Sequence, residues 1–246
     1  MFSIYKKELS GFFSSLTGYI VIAVFLIVNS LIMWVFPGEL NVYDSGYASL
    51  ETLFIISPWV FLFLVPAVTM RMISEEKRLG TIELLYSRPL TELQIVAGKY
   101  LASVTLVLLA LIPCAIYYIT IWFIGDPQGN LDIGGTWGSV TGLFFLAAVY
   151  ASVGLFASSL TENQVISFIL AVIISSVLFI GFDSISYLPH LQKFDESIVR
   201  LGINEHYRSM SRGVIDLTDI GYFAAVIVIF NEATRLVLTS RKWRRS

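Results

Sequence analysis

Two histidines, His190 and His206, the second preceded directly by Glu205, are the side chains in this sequence best suited to hold a metal ion or move a proton. Their separation fits no zinc-binding spacing such as H-E-x-x-H, and their other reading is as solvated or helix-capping residues. Gly98-Lys99 matches the end of a phosphate-binding loop, G-x-x-x-x-G-K-[ST]. Leu93 stands where that loop needs glycine and Tyr100 where it needs serine or threonine, so the chain has no Walker site for ATP. A G-x-S-x-G nucleophile elbow is missing too. Cys114, the single cysteine, lies in an apolar run and has no partner for an intrachain disulfide. Glu232 and Arg235 form an i,i+3 charge pair inside a long apolar stretch. They read either as side chains reaching back to lipid headgroups or as a functional ion pair. No catalytic constellation emerges.

The elements carrying these groups are unusually apolar. Of 246 residues, 56% are hydrophobic and 14% charged, and the mean hydropathy is +0.77. Soluble domains hold about 25% charged residues, so the solvent for this chain must be lipid. A bilayer core takes about 20 helical residues to cross. Six stretches satisfy that, near 18–37, 53–73, 100–124, 137–159, 165–185 and 221–240. The first follows Lys6 and Lys7 but is too long for a signal peptide's apolar core and lacks a small-x-small cleavage site. Loops 38–52 and 125–136 carry Glu39, Asp44, Glu51, Asp126 and Asp132 and no base, while bases concentrate in the alternate loops and at both ends. The positive-inside rule therefore predicts both termini in the cytoplasm.

Residues 1–17 form a separate amphipathic piece, with Tyr5, Leu9, Phe12 and Leu16 at helical spacing. It is either a helix lying in the headgroup layer or a frayed leader. Spans one to five hold no charge at mid-depth, unlike ion-coupled carriers. Their buried polar residues, Asn29, Ser57, Thr69, Thr105 and Ser152, read as interhelical glue. Ser167, Ala171 and Ser175 make a small-residue seam on span five, and Ala147/Ala151 and Gly154/Ser158 do so on span four. Such seams suit a bundle or a second subunit. Pro58, Pro66 and Pro113 are expected to bend spans two and three.

Two polar segments interrupt this pattern. In 74–99, SEEKRLGTIELLYSRPLTELQIVAGK, Gly80 permits a change of direction and Thr81 can cap a short helix from Ile82 to about Ser87. Arg88-Pro89 stops that helix, and Thr91 to Gln94 fits a capping box opening span three. With Glu83, Leu84, Leu85 and Tyr86, the result is a knob for a groove in a soluble partner, or else a plain interfacial turn. In 186–220, Pro189 can start one helix with Leu191, Phe194, Ile198 and Leu201 on a face. Asn204 can cap a second running through Arg212, ended by Gly213, the pair resting on the outer leaflet.

These two segments carry a resemblance. EEKRLGTIELLYSRPLTELQIVAGKYLA resembles the hairpin between spans two and three of ABC-2-type permeases, where E-E-[KR]-x-x-G-T-x-E-x-L-x-x-x-P recurs, and HYRSMSRGVIDLTDIGYF resembles the stretch before their last span. Within that family the chain looks most like the gliding-motility-associated permease GldF and its NosY-like branch. The resemblance covers the whole chain and implies an all-α polytopic membrane protein, one ABC-2-type transmembrane domain over 1–246 with a type V ABC exporter-like fold. Residues 1–17 would be the elbow helix and 74–99 the coupling hairpin. Glu75, Glu76, Arg78, Gly80, Thr81 and Glu83, with Leu84 and Leu85, would engage a soluble ATPase subunit. ATP and Mg would be bound by that subunit, with no cofactor in this chain. His206, Tyr207, Arg212, Gly213 and Asp216 would belong to an outer cap formed by residues 186–220. A second permease, identical or paralogous, would complete the assembly in a bacterial inner membrane, with no nucleic-acid partner. The function implied is coupling ATP hydrolysis to export or to a gliding or secretion machine. Span six, with Asn231, Glu232 and Arg235, is more polar than that pattern leads one to expect. The competing readings are a membrane-embedded hydrolase using His190, Glu205 and His206, a secondary carrier, and a passive scaffold.

Overall fold

A computed structural model of the chain describes residues 1–86, 89–186 and 199–243. The described residues are helical, with no strand among them. Six helices are long and apolar enough to cross a membrane: Thr17–Val35, Glu51–Arg78, Glu92–Ile124, Ile133–Leu160, Gln164–Ser186 and Leu217–Ser240, here spans one to six. An even number of crossings places the N-terminal helix Phe2–Ser14, the turn between spans two and three and the C-terminal end of span six on one side. We call that side the hairpin end and the opposite one the far end.

Span four is the hub. Within its most apolar window 72% of residues are buried, against 11% for span six, which therefore turns most of its surface outward. Small residues make the central position possible, because Ala147, Ala148, Ala151, Gly154 and Ala157 let neighbouring backbones come close. At Gly154 an added Cβ would lie 1.9 Å from Thr69 Oγ1 of span two, so that crossing tolerates no side chain. Ser158, one turn on, accepts from the Ile73 and Ser74 amides at 3.1 and 3.0 Å and donates to the Met70 carbonyl at 2.8 Å. Ser167, Ala171 and Ser175 of span five are all fully buried inside this chain, so the predicted seam is an internal one.

The prolines act differently from one another. Pro113 interrupts span three with a single 3-10 turn, Ile112–Cys114. Pro58 and Pro66 sit inside an unbroken helix, Glu51–Arg78. The expected capping box is present, with the Gln94 amide donating to Thr91 Oγ1 and the Thr91 amide donating to Gln94 Oε1. Asn29 and Ser57 are glue as expected, Ser57 donating to Asn29 Oδ1 at 3.2 Å between spans one and two.

Candidate functional site

At the hairpin end, span two runs helically through Ser74-Glu75-Glu76-Lys77-Arg78 before Gly80, at φ +69°, reverses the chain. A glycine is needed there because a side chain is disfavoured at that φ. The helix Ile82–Tyr86 follows. Thr81 stands before it, and its hydroxyl donates back to the Glu76 carbonyl at 3.4 Å. Arg78, Gly80, Thr81, Glu83 and Leu84 are exposed, Leu84 to 67%, and Leu85 is half-buried. Ser87 and Arg88 of the predicted helix stop lie outside the described residues.

Glu75 and Glu76 part company. Glu75 is half-buried at the surface, whereas Glu76 points inward and belongs to a closed ring of alternating charge. Lys7 Nζ lies 2.7 Å from Glu76 Oε1, Lys99 Nζ lies 2.9 Å from Glu76 Oε2 and 2.7 Å from Glu8 Oε1, and Glu8 Oε1 returns to Lys7 at 3.4 Å. Lys99 is 1% exposed, and its ammonium also donates to the Met72 carbonyl at 2.7 Å. A buried ammonium is tolerable only when its protons are so matched. Burial works to lower the pKa of Lys7, but its bonds and charges toward Glu76 and Glu8 outweigh that and hold it above its ordinary value. The ring ties three elements together: the N-terminal helix, the end of span two and the start of span three. Both arms of the hairpin thus share one root. Lys77, also buried, donates to the Ser159 carbonyl at the C-terminal end of span four.

Sequence reasoning missed this ring, and with it the side on which the N-terminal helix docks against the spans. The buried side is Ile4, Glu8 and Phe12, while Leu16 is 75% exposed. An inward glutamate breaks the apolar stripe that marks an amphipathic helix, so the stripe Tyr5, Leu9, Phe12 and Leu16 was the visible pattern. Gly98, read as part of a failed phosphate loop, is where this helix docks: a Cβ there would lie 3.0 Å from Ile4 Cβ and from the Met1 carbonyl.

At the far end, most of the first predicted outer helix, including Pro189, His190 and Phe194, lies outside the described residues. The second is present as Ile203–Ser211. Its N-cap is Gly202, two residues earlier than predicted, and Asn204 lies inside it, donating at 2.5 Å to Asp183 of span five. Tyr207 explains how span two survives Pro58. Proline has no N–H for the Phe54 carbonyl one turn back, and the buried Tyr207 hydroxyl donates to that carbonyl at 2.7 Å. Burial raises the Tyr207 phenol pKa well above its ordinary value, so the donor proton stays in place. Gly213, at φ +84°, and Met210 press on Gly135 and Gly138 of span four.

His206 is a structural residue: Nδ1 lies 2.7 Å from Asp219 Oδ1, Nε2 lies 2.9 Å from the Arg200 carbonyl, and the ring stacks on Tyr222 at 3.9 Å. Among the described residues no group of three or more His, Cys, Asp or Glu could hold a metal ion. Arg212 is exposed, 3.9 Å from Glu205, and Asp216 is exposed and accepts the Thr218 amide at 3.1 Å at the start of span six. That amide holds the Asp216 carboxyl below its ordinary value. Tyr207 and Arg212, but not His206, Gly213 or Asp216, line a cavity of about 880 Å³ between spans two, four and five. Phe54, Pro58 and Trp59 give it an apolar wall, and Glu51, Asp132 and Arg208 are among its polar groups. Glu232 and Arg235 pair at 2.9 Å on the outward side of span six.

Six spanning helices, a polar hairpin rooted in an ion ring and a helix-capped cavity at the other end define a polytopic membrane protein. The family ABC-2 family transporter protein matches residues 2–212, and the chain belongs to it. It is accordingly a transmembrane permease subunit of an ABC transporter and not itself an enzyme, in a family that normally works with an ABC ATPase subunit. No curated protein matches the chain significantly.

Proposed function

We propose that the hairpin helix Ile82–Tyr86 docks into a separate ABC ATPase subunit, which binds ATP and Mg, and passes its motion to the bundle. The observation that carries this reading is an exposed knob on a locked base. Leu84, Thr81 and Glu83 face outward, while the ring behind them fixes both arms of the hairpin to the N-terminal helix. A short amphipathic helix held this way suits a groove in a soluble protein. Arg78, Gly80, Thr81, Glu83, Leu84 and Leu85 supply the contact surface. Glu75 and Glu76 lie at its root, and Glu76 acts through the ring.

The hairpin end then faces the cytoplasm, as the concentration of lysine and arginine there supports. A second permease, identical or paralogous, completes the membrane unit in a bacterial inner membrane. ATP-driven closure of the ATPases rocks the two halves and changes access at the far end, where the helix Ile203–Ser211 and the stretch to Asp216 form the cap. The output is export of a substrate or force on a gliding or secretion machine. The EEKRLGTIELL hairpin and the HYRSMSRGVIDL stretch favour the branch of GldF and NosY for the finer placement.

The test is affinity purification of the tagged chain from its host membrane, with mass spectrometry of what stays bound. A Walker-motif ATPase at near-equal stoichiometry is expected, and Glu83→Lys is expected to lose it while leaving expression and insertion unchanged. An ATPase that stays fully bound to the Glu83→Lys chain removes the docking assignment.

A further inference from the structure

We propose that the groove between the N-terminal helix and the last turns of span two is a binding site for the headgroup of a phospholipid bearing a primary amine, phosphatidylethanolamine in chemical class. This goes beyond the permease reading and does not depend on ATPase docking. The groove has a volume of about 330 Å³ and carries five charged side chains, Lys7, Glu8, Arg71, Glu75 and Glu76. Three of them are neutralised with Lys99 in the ring. Arg71 and Glu75 are left over. They sit one turn apart on the same helix, yet neither makes an ion pair or a side-chain hydrogen bond with any described residue. The Arg71 guanidinium lies instead over the Phe12 ring, 5.8 Å from its centroid.

An unpaired cation and an unpaired anion in a half-buried groove call for a ligand that carries both signs. The surroundings say which. Arg71 lies seven residues before the end of its helix, hence about 10 Å inside it. Beside it the N-terminal helix and the start of span one leave Phe2, Leu16, Tyr19 and Ile20 exposed, a surface suited to lipid at headgroup depth. A phosphodiester matches the guanidinium fork, and an ammonium two carbons away matches a carboxylate one helical turn further on. Choline has no N–H to give Glu75, and phosphatidylglycerol has no cation for it. Phe12 and Met72, beside Arg71, supply apolar contact for the glycerol and upper acyl carbons.

The experiment uses the full-length chain with whatever subunits copurify, reconstituted in nanodiscs of phosphatidylglycerol mixed with either phosphatidylethanolamine or phosphatidylcholine. Lipid resisting a delipidating wash is then quantified by mass spectrometry. Wild type is expected to retain the ethanolamine lipid about tenfold over the choline lipid, the worth of one charge-assisted hydrogen bond. Glu75→Gln should bring the two to parity while phospholipid is still held, and Arg71→Ala should lower retention of all of them. N-methylated ethanolamine lipids test the same point without a variant, retention collapsing only when the last N–H is replaced. Equal retention of the two lipids by wild type, a preference surviving Glu75→Gln, or a preference for phosphatidylglycerol each overturns the proposal.

Discussion

The two ends of this molecule are held together by opposite means. At the hairpin end, elements far apart in sequence are joined by charges, four of them in a ring, with Lys77 capping span four besides. At the far end the joints are separate and unlinked: glycine against backbone at Gly138 and Gly213, and single hydrogen bonds from Tyr207 to Phe54, Asn204 to Asp183 and His206 to Asp219, around a cavity of about 880 Å³. Ion pairs closed on themselves fix relative orientation in three dimensions and make the hairpin base one body. Backbone contacts beside a large void leave the far end room to change shape. The difference separates a part held as one body from a part with room to move.

Substitutions can break that contrast, and the largest effect is expected in the ring. Lys99→Met leaves Glu8 and Glu76 with only the exposed Lys7 between them and no buried cation, at a cost of about 3–5 kcal/mol. Adding Glu8→Gln and Glu76→Gln should recover most of that, read by thermal unfolding in detergent. If Lys99→Met is silent, the hairpin end is not built on charge. Gly138→Ala comes next, because its Cβ would lie 2.1 Å from the Met210 carbonyl and no rotamer change can relieve a backbone clash. The cost expected is about 1–3 kcal/mol, with the far-end helix lifted off span four and newly open to proteolysis.

Tyr207→Phe should cost about 1–3 kcal/mol by orphaning the Phe54 carbonyl. Pro58→Ala should cancel much of that loss, since an alanine N–H can take the same carbonyl. A double-mutant cycle with no coupling between 58 and 207 would refute the link.

The smallest effects are in pH, and the two ends should respond in opposite directions. Lys7 has a raised folded pKa, so its contribution is complete below its ordinary value of 10.5 and is lost as pH rises through the folded value. Asp216 has a lowered one, so its contribution is present above its ordinary 3.8 and is lost as pH falls through the folded value. Cysteine accessibility at the buried Ile4 should therefore rise in alkali, and at the half-buried Ile220 in acid.

The spans were legible because lipid imposes long apolar runs, and all six appear within a few residues of the expected ones except where spans two and three extend into the polar hairpin. The Thr91 capping box and the Glu232–Arg235 pair were legible because their partners lie three residues apart. The ring was not, since Lys7 and Glu76 are 69 residues apart and Glu8 and Lys99 are 91 apart. No local pattern announces such pairs, and Lys99 looked like one more loop lysine. Tyr207 and Phe54 are 153 residues apart, so the remedy for Pro58 was equally hidden. The Gly135, Gly138 and Gly142 stripe on span four was readable at helical spacing and was passed over.

The ring contains two cations and two anions, so its formal charge sums to zero. A single elementary charge carried across a membrane potential of 100 mV involves about 2.3 kcal/mol of electrical work. A neutral quartet shifted as one body involves next to none. The ring itself, unlike the neighbouring Lys77 and Arg78, can thus shift along the membrane normal without coupling to voltage.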